Sequence, residues 1–223
     1  MRNKLGICFL FLGILLLCGS LSLYLSNRQE DSQAEQGSVE VLPKLIEEIP
    51  EEPDPQILAE RLVPMEFREP ESFQMTEVEI YGYGYIGYLS IPSLELNLPV
   101  MGSWDYKRLQ IAPCRYYGSI GGEDLVLMAH NYASHFGRID ELRPGDTVCF
   151  TDMDGISTWY QVTVRDLLPP TAVEEMTSGG SDLTLFTCTY GGRTRTGFEP
   201  PLVSKTASLR VKRRFDYVND TKY

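Results

Sequence analysis

The chain has 223 residues, 43% of them hydrophobic and 23% charged, a globular composition that excludes disorder throughout and a collagen-like repeat. Its formal net charge of -11, from 20 Lys and Arg against 31 Asp and Glu, argues against binding to a phosphate backbone, so no nucleic acid is expected as a partner. The acidity is concentrated, with 4 basic and 13 acidic residues between positions 26 and 75.

Arg2 and Lys4 lie within residues 1–5, ahead of 20 uncharged residues from Gly6 to Leu25 that are dense in Leu, Ile and Phe. That length spans a bilayer's hydrocarbon core as a helix. The run is longer than a signal-peptide core and ends Leu23-Tyr24-Leu25-Ser26, without a small-x-small cleavage pattern. Residues 6–25 therefore read as an uncleaved membrane anchor. With Arg2 and Lys4 before it and Glu30 and Asp31 after it, the positive-inside rule puts residues 1–5 in the cytoplasm. Everything after Leu25 is then extracytoplasmic, in a single-pass protein of the cell membrane.

Residues 26–75 read as an acidic, Pro-rich spacer, because Glu47 to Pro55 combines prolines with like charges that resist compaction. A short amphipathic helix fits around Gln56 to Leu62. Residues 76–218 form the expected domain, and 219–223 a frayed tail. Short strands separated by Gly, Pro, Asn and Asp dominate it, which makes it mainly β. The expected strands are Tyr85 to Ile91, Leu94 to Val100, Leu125 to Ala129, Thr147 to Thr151, Thr158 to Val164, Leu183 to Thr189 and Ser208 to Val218. Seven or eight short strands favour a barrel or a sandwich. Trp104 to Leu109 and Ile139 to Leu142 are expected helical turns, and Pro144-Gly145-Asp146 a turn into the next strand.

Of five cysteines, Cys8 and Cys18 fall in the apolar run, leaving Cys114, Cys149 and Cys188 outside it. Three cannot all pair within one chain, and no Cys-x-x-Cys supports a redox dithiol or a zinc site. Cys114 and Cys149 read as small buried hydrophobes. Cys188 ends the alternating strand from Leu183, and Tyr190-Gly191-Gly192-Arg193 has the Gly-Gly of a two-residue hairpin turn. Counting outward from that turn pairs Cys188 with Arg195, and a fixed cation there favours thiolate and can bind an oxyanion. A nucleophilic Cys needs an acid/base partner. Of the two histidines, His130 ends the apolar strand Leu125 to Ala129, whereas His135 reads as an ordinary loop residue.

Leu185-Phe186-Thr187-Cys188 with a downstream Arg resembles the Thr-Leu-x-Thr-Cys signature of sortases, and Ala129-His130-Asn131 resembles their Gly-His-Asn motif. Ile86-Gly87-Tyr88-Leu89-Ser90-Ile91-Pro92 is similar to the family's first strand. The resemblance covers nearly all of residues 76 to 195. It implies an eight-stranded sortase-type β-barrel behind an N-terminal transmembrane helix, and a Cys-His-Arg transpeptidase that needs no metal or cofactor. Cys188 is the implied acyl-thioester nucleophile and His130 the proton donor and acceptor. Asn131 and Thr187 are the implied substrate contacts. The His-Asn-Tyr…Phe-Gly stretch is closest to class B-like members, although Val164 to Asp182 leaves little room for the large helix that class B inserts there.

The implied partners are secreted proteins bearing a C-terminal sorting signal, with an amine of a peptidoglycan precursor or a pilin Lys as acceptor, in a Gram-positive-type bacterium. One departure leaves the third residue open. Sortases open the final strand with the catalytic Arg, but here Arg195 precedes the poor strand sequence Thr196-Gly197-Phe198-Glu199-Pro200-Pro201, and the strand-like Arg210-Val211-Lys212-Arg213-Arg214-Phe215 follows it. Either Arg195 or Arg210 fits. The same residues also allow a cysteine hydrolase or a catalytically impaired, membrane-tethered binding module.

Overall fold

A computed structural model describes residues 2–63, 74–120, 124–168, 177, 182–188 and 206–213. Nine strands are described: β1 (Val78–Ile80), β2 (Tyr83–Ile91), β3 (Leu96–Met101), β4 (Cys114–Tyr117), β5 (Leu125–Ala129), β6 (Thr147–Asp152), β7 (Ser157–Leu168), β8 (Leu183–Cys188) and β9 (Thr206–Arg213). Pairing runs β2-β3-β4-β5-β8-β9-β7-β6, and β6 pairs back onto β2, so eight strands close into a ring. Closure leaves no free edge in that ring. The short β1 hangs outside it as a hairpin with β2, through a turn whose two residues, Tyr81 and Gly82, both have positive φ as a tight hairpin requires.

Alternation explains why the ring has a dry interior. Leu89, Ile91, Leu98, Leu127, Phe150 and Leu185 are at most 2% exposed and belong to one cluster. Gly87 sits where the β2/β3 register shifts. Its φ is +141°, and a Cβ there would lie 2.1 Å from the Thr151 carbonyl oxygen, so only glycine lets β2 cross so close to β6.

The N-terminal region departs from the expected spacer. Helix α1 runs unbroken from Arg2 to Glu48, roughly 70 Å at 1.5 Å per residue. It is the one helix, among the described residues, long and apolar enough to cross a membrane, and its most apolar 18-residue window has mean hydropathy 2.1 with none of it buried. Beyond that run the helix lies on the barrel. Ala34, Ser38, Val41 and Leu45 are buried, a spacing of three and four residues that forms one stripe, and Val41 and Leu45 join Ile80, Tyr85 and Met101 in a second apolar cluster. The acidic residues between these positions face solvent, so acidity here marks an amphipathic helix and the chain is no loose tether from 26 to 48. The helix stops just before Pro50, which disfavours helical backbone at Ile49.

The expected short helix is present as α2 (Pro55–Leu62), with Asp54 accepting a hydrogen bond from the Gln56 amide and Pro55 in the first turn. Its Arg61 reaches Asp152 at 3.2 Å and Asp154 at 3.3 Å, tying it to the β6/β7 connection. The expected helical turns are a single turn α3 (Tyr106–Leu109), capped by Asp105, and a 3-10 turn at Ile139–Glu141. Leu94 belongs to a 3-10 turn over Pro92–Leu94, where the sequence suggested the start of a strand.

Candidate active site

Two parallel strands carry the two motifs. In the β5/β8 pairing, Leu125 is level with Leu183 and Ala129 with Thr187, so His130 and Cys188 are each the next residue after a matched pair. Neighbouring strands lie about 4.8 Å apart, which brings residues 58 positions apart in sequence to adjacent strand ends. Thr187 locks this register. It is 3% exposed and its hydroxyl donates to the Ala129 carbonyl at 2.8 Å, so it acts as a strut between the strand of the cysteine and the strand of the histidine.

His130 opens a tight loop. The Phe136 amide donates to the His130 carbonyl at 3.2 Å, and the His135 and Gly137 amides donate to the Tyr132 carbonyl at 3.0 and 2.8 Å. Gly137 is required, because a Cβ there would meet the Tyr132 carbonyl oxygen at 2.6 Å and the Asn131 side-chain oxygen at 3.1 Å. Phe136 is fully buried and plugs the loop into the barrel. The Tyr132 ring packs against both imidazoles, 4.9 Å from His130 and 5.6 Å from His135. His130 is half-buried, and burial lowers its pKa from 6.5 while the nearby Glu30 carboxylate opposes that shift.

His135 corrects the sequence expectation of a surface loop residue, for it is 0% exposed. Burial, then the neighbouring His130, push its pKa down to about 4, against smaller opposing effects of Asp31 and the Ile111 backbone. Its neutral form is thus preferred in the fold, whereas the unfolded chain takes up a proton near 6.5. Stability is then fully present above about pH 6.5 and falls as pH drops toward 4, by up to roughly 3 kcal/mol for one such group. Denaturant unfolding at pH 7 and pH 4.5 measures this, and His135→Phe is expected to flatten the dependence.

The loop is held from outside by α1. Asp31 accepts from the Ser134 amide at 3.0 Å and from the Ser134 hydroxyl at 2.5 Å, and Glu30 accepts from the Tyr132 hydroxyl at 3.3 Å. No local sequence signal foretells these contacts, since the partners are 102 and 103 residues apart. Phe186, two residues before Cys188, packs edge-on against Tyr116 at 5.3 Å, and Tyr116 meets Trp104 at 5.8 Å. Trp104 and Tyr116 line a shallow cleft of about 450 Å³ with Arg115 and Tyr117. Sequence reasoning missed this aromatic run because β4 is only four residues long.

The other cysteines behave as expected. Cys114 and Cys149 are buried and unpaired, and burial raises both thiols, Cys114 to about 12. The arginines divide differently. In the β8/β9 pairing Cys188 is opposite Thr206 and Arg210 is opposite Thr184, so the expected pairing of Cys188 with Arg195 is replaced by one with Thr206. Arg195 itself lies outside the described residues, as do the expected hairpin turn, the expected strand beyond Arg213 and most of the stretch between Leu168 and Asp182.

Residues 89–197 match the family model described as Sortase domain. Among solved structures, sortase C of Streptococcus pneumoniae, studied for its catalysis and pilin substrate specificity, is 22% identical with a TM-score of 0.57, over 78% of this chain and 96% of that one. Streptococcus agalactiae sortase C1 in complex with MTSET is 24% identical with a TM-score of 0.51, over 74% and 88%. At these identities the likeness establishes the fold. No curated protein matches the chain.

Proposed function

We propose that the chain is a sortase-type cysteine transpeptidase, a reading supported by the Sortase domain match over residues 89–197, and that it cleaves a sorting signal near the C-terminus of secreted proteins and joins them to an amine at the cell surface. The β5/β8 register carries this reading, since it sets His130 beside Cys188 at the ends of neighbouring strands.

In the proposed reaction the Cys188 thiolate attacks a backbone carbonyl carbon of the signal, giving a tetrahedral oxyanion. Protonated His130 gives its proton to the departing amine as the C–N bond breaks, and a thioester remains on Cys188. The incoming amine then attacks the thioester, His130 takes its proton, and the thiolate leaves. Arg195 is the proposed oxyanion partner. What supports it over Arg210 is the register: Arg210 is opposite Thr184, four residues before Cys188, roughly 13 Å along the strand and farther than one arginine side chain spans. Asn131 and the aromatic run from Phe186 to Trp104 are proposed to contact the substrate peptide. Thr187, whose hydroxyl is already bonded to Ala129, contributes by holding the register.

The exposed apolar half of α1 supports an anchor at residues 6–25, and Arg2 and Lys4 support a cytoplasmic N-terminus with the barrel extracytoplasmic. The acceptor is proposed to be a peptidoglycan-precursor amine or a pilin Lys. Because α1 packs on the barrel through Leu45, the test uses the full chain in detergent, incubated with a panel of sorting-signal peptides and triglycine. Mass spectrometry is expected to show a peptide cleaved and joined to triglycine through an acyl-enzyme. Free acid alone would make it a hydrolase. No product, with Cys188 alkylating like an ordinary thiol of pKa about 8.5, would make it a binding module.

A further inference from the structure

Helix α1 approaches the His130 loop with two carboxylates only five and six residues beyond Leu25, about 8 Å along the helix. The helix also docks through other contacts. Its apolar stripe is centred on Ala34, Val41 and Leu45, and Lys44 adds a hydrogen bond to the Tyr81 hydroxyl and lies over its ring. Glu30 and Asp31 instead reach Tyr132 and Ser134, the residues two and four positions after His130.

Resting on the sortase reading above, we propose that Glu30 and Asp31 are positioning residues for His130, acting through Tyr132 and Ser134. The route is physical at each link. Asp31 accepts from both the amide and the hydroxyl of Ser134, which fixes the loop's backbone against α1. Glu30 holds the Tyr132 hydroxyl, and the Tyr132 ring packs against both His130 and the fully buried His135. The His130 ring therefore faces a wall that is fixed at its far end by a carboxylate on another element. A proton donor that serves two successive steps needs one ring orientation through both, and loss of about 1 Å of placement is costly.

Among the described residues, the titratable groups around His130 are Glu30 of α1, Tyr132 and His135 of its own loop, and Cys188 beside it in register on β8, while Asp31 of α1 acts on His135. Of these, the Glu30 carboxylate favours the imidazolium that must protonate the leaving amine. The segment that leaves the apolar run thus sets both the aim and the charge of the acid.

The test uses the full chain in detergent with peptide and triglycine. Glu30→Gln, Asp31→Ala and Tyr132→Phe are each expected to lower kcat about tenfold with KM nearly unchanged. Glu30→Ala and Tyr132→Phe together are expected to cost no more than Glu30→Ala alone, because Glu30→Ala already removes the hydrogen bond that Tyr132→Phe breaks. In Glu30→Gln the His130 ring, followed by NMR, is expected to titrate at lower pH than in the wild type. Leu45→Ala is the control: it loosens the same helix, and is expected to lower Tm while leaving kcat and the titration in place. Wild-type kcat and titration in the Glu30 and Asp31 variants, or the same kcat loss in Leu45→Ala, would overturn the proposal. If the wild type makes no thioester, the transpeptidase reading fails, and the NMR titration still decides whether Glu30 acts on His130.

Discussion

Cys188→Ala and His130→Ala are each expected to lower product formation at least about a thousandfold, with the double variant no worse than the more damaged single one. The two residues act in one sequence of bond changes, so removing either empties the same pathway and their effects do not add. They fail differently, and that difference is the informative measurement. Cys188→Ala has no atom to carry the acyl group, so no acyl-enzyme mass appears with any substrate. His130→Ala keeps the thiol but has no proton for the leaving amine. Replacing the scissile amide with an ester, whose leaving alkoxide needs less help, is expected to restore acyl-enzyme formation in His130→Ala and to do nothing for Cys188→Ala. Equal failure with both substrates would mean that His130 is needed for the fold or for ionising the thiol, and that leaving-group protonation belongs to another residue.

That experiment is framed by residues whose placement could be read from the sequence only in part. β5 has the bounds its apolar run suggested, Leu125 to Ala129, and β2 begins only two residues before the expected Tyr85, because buried strands announce themselves by continuous or alternating apolar residues. β4 was illegible: Cys114-Arg115-Tyr116-Tyr117 is too short to show a period, and its place in the ring follows from pairing with β5. The second half of α1 misleads for another reason. Its buried stripe contains Ala34 and Ser38, which carry little hydropathy, while the exposed face carries the acids that suggest a spacer. His135 misleads in the same way, since nothing local distinguishes a loop histidine in water from one pulled inside by the adjoining Phe136. Motifs flag residues, but only the parallel β5/β8 register sets His130 and Cys188 side by side. The carboxylates that reach the His130 loop come from more than a hundred residues away, beyond any local pattern.

Arg195→Ala is expected to lower kcat/KM about a hundred- to a thousandfold, the range for losing a donor to a developing oxyanion, while Arg210→Ala stays within about threefold. The start of the final strand separates the two arginines. Sheet pairing sets Thr206 opposite Cys188 and Arg210 opposite Thr184, so an arginine at 210 is displaced along the strand from the carbon under attack. Arg195, seven residues after Cys188, is tethered to it by a much shorter length of chain. Arg195→Lys separates two roles for this residue. A lysine keeps the charge but loses the planar fork that holds an oxyanion and a peptide carbonyl together. If only the charge matters, through a lowered thiol pKa, Lys restores most of the rate and the pH at which Cys188 alkylates is unchanged. If the fork matters, Lys leaves Cys188 as reactive to iodoacetamide as in the wild type while transpeptidation stays low. A large loss in Arg210→Ala with Arg195→Ala unaffected would instead require β9 to slide by several residues when substrate binds, and hydrogen exchange along β9 with and without peptide would then report that shift.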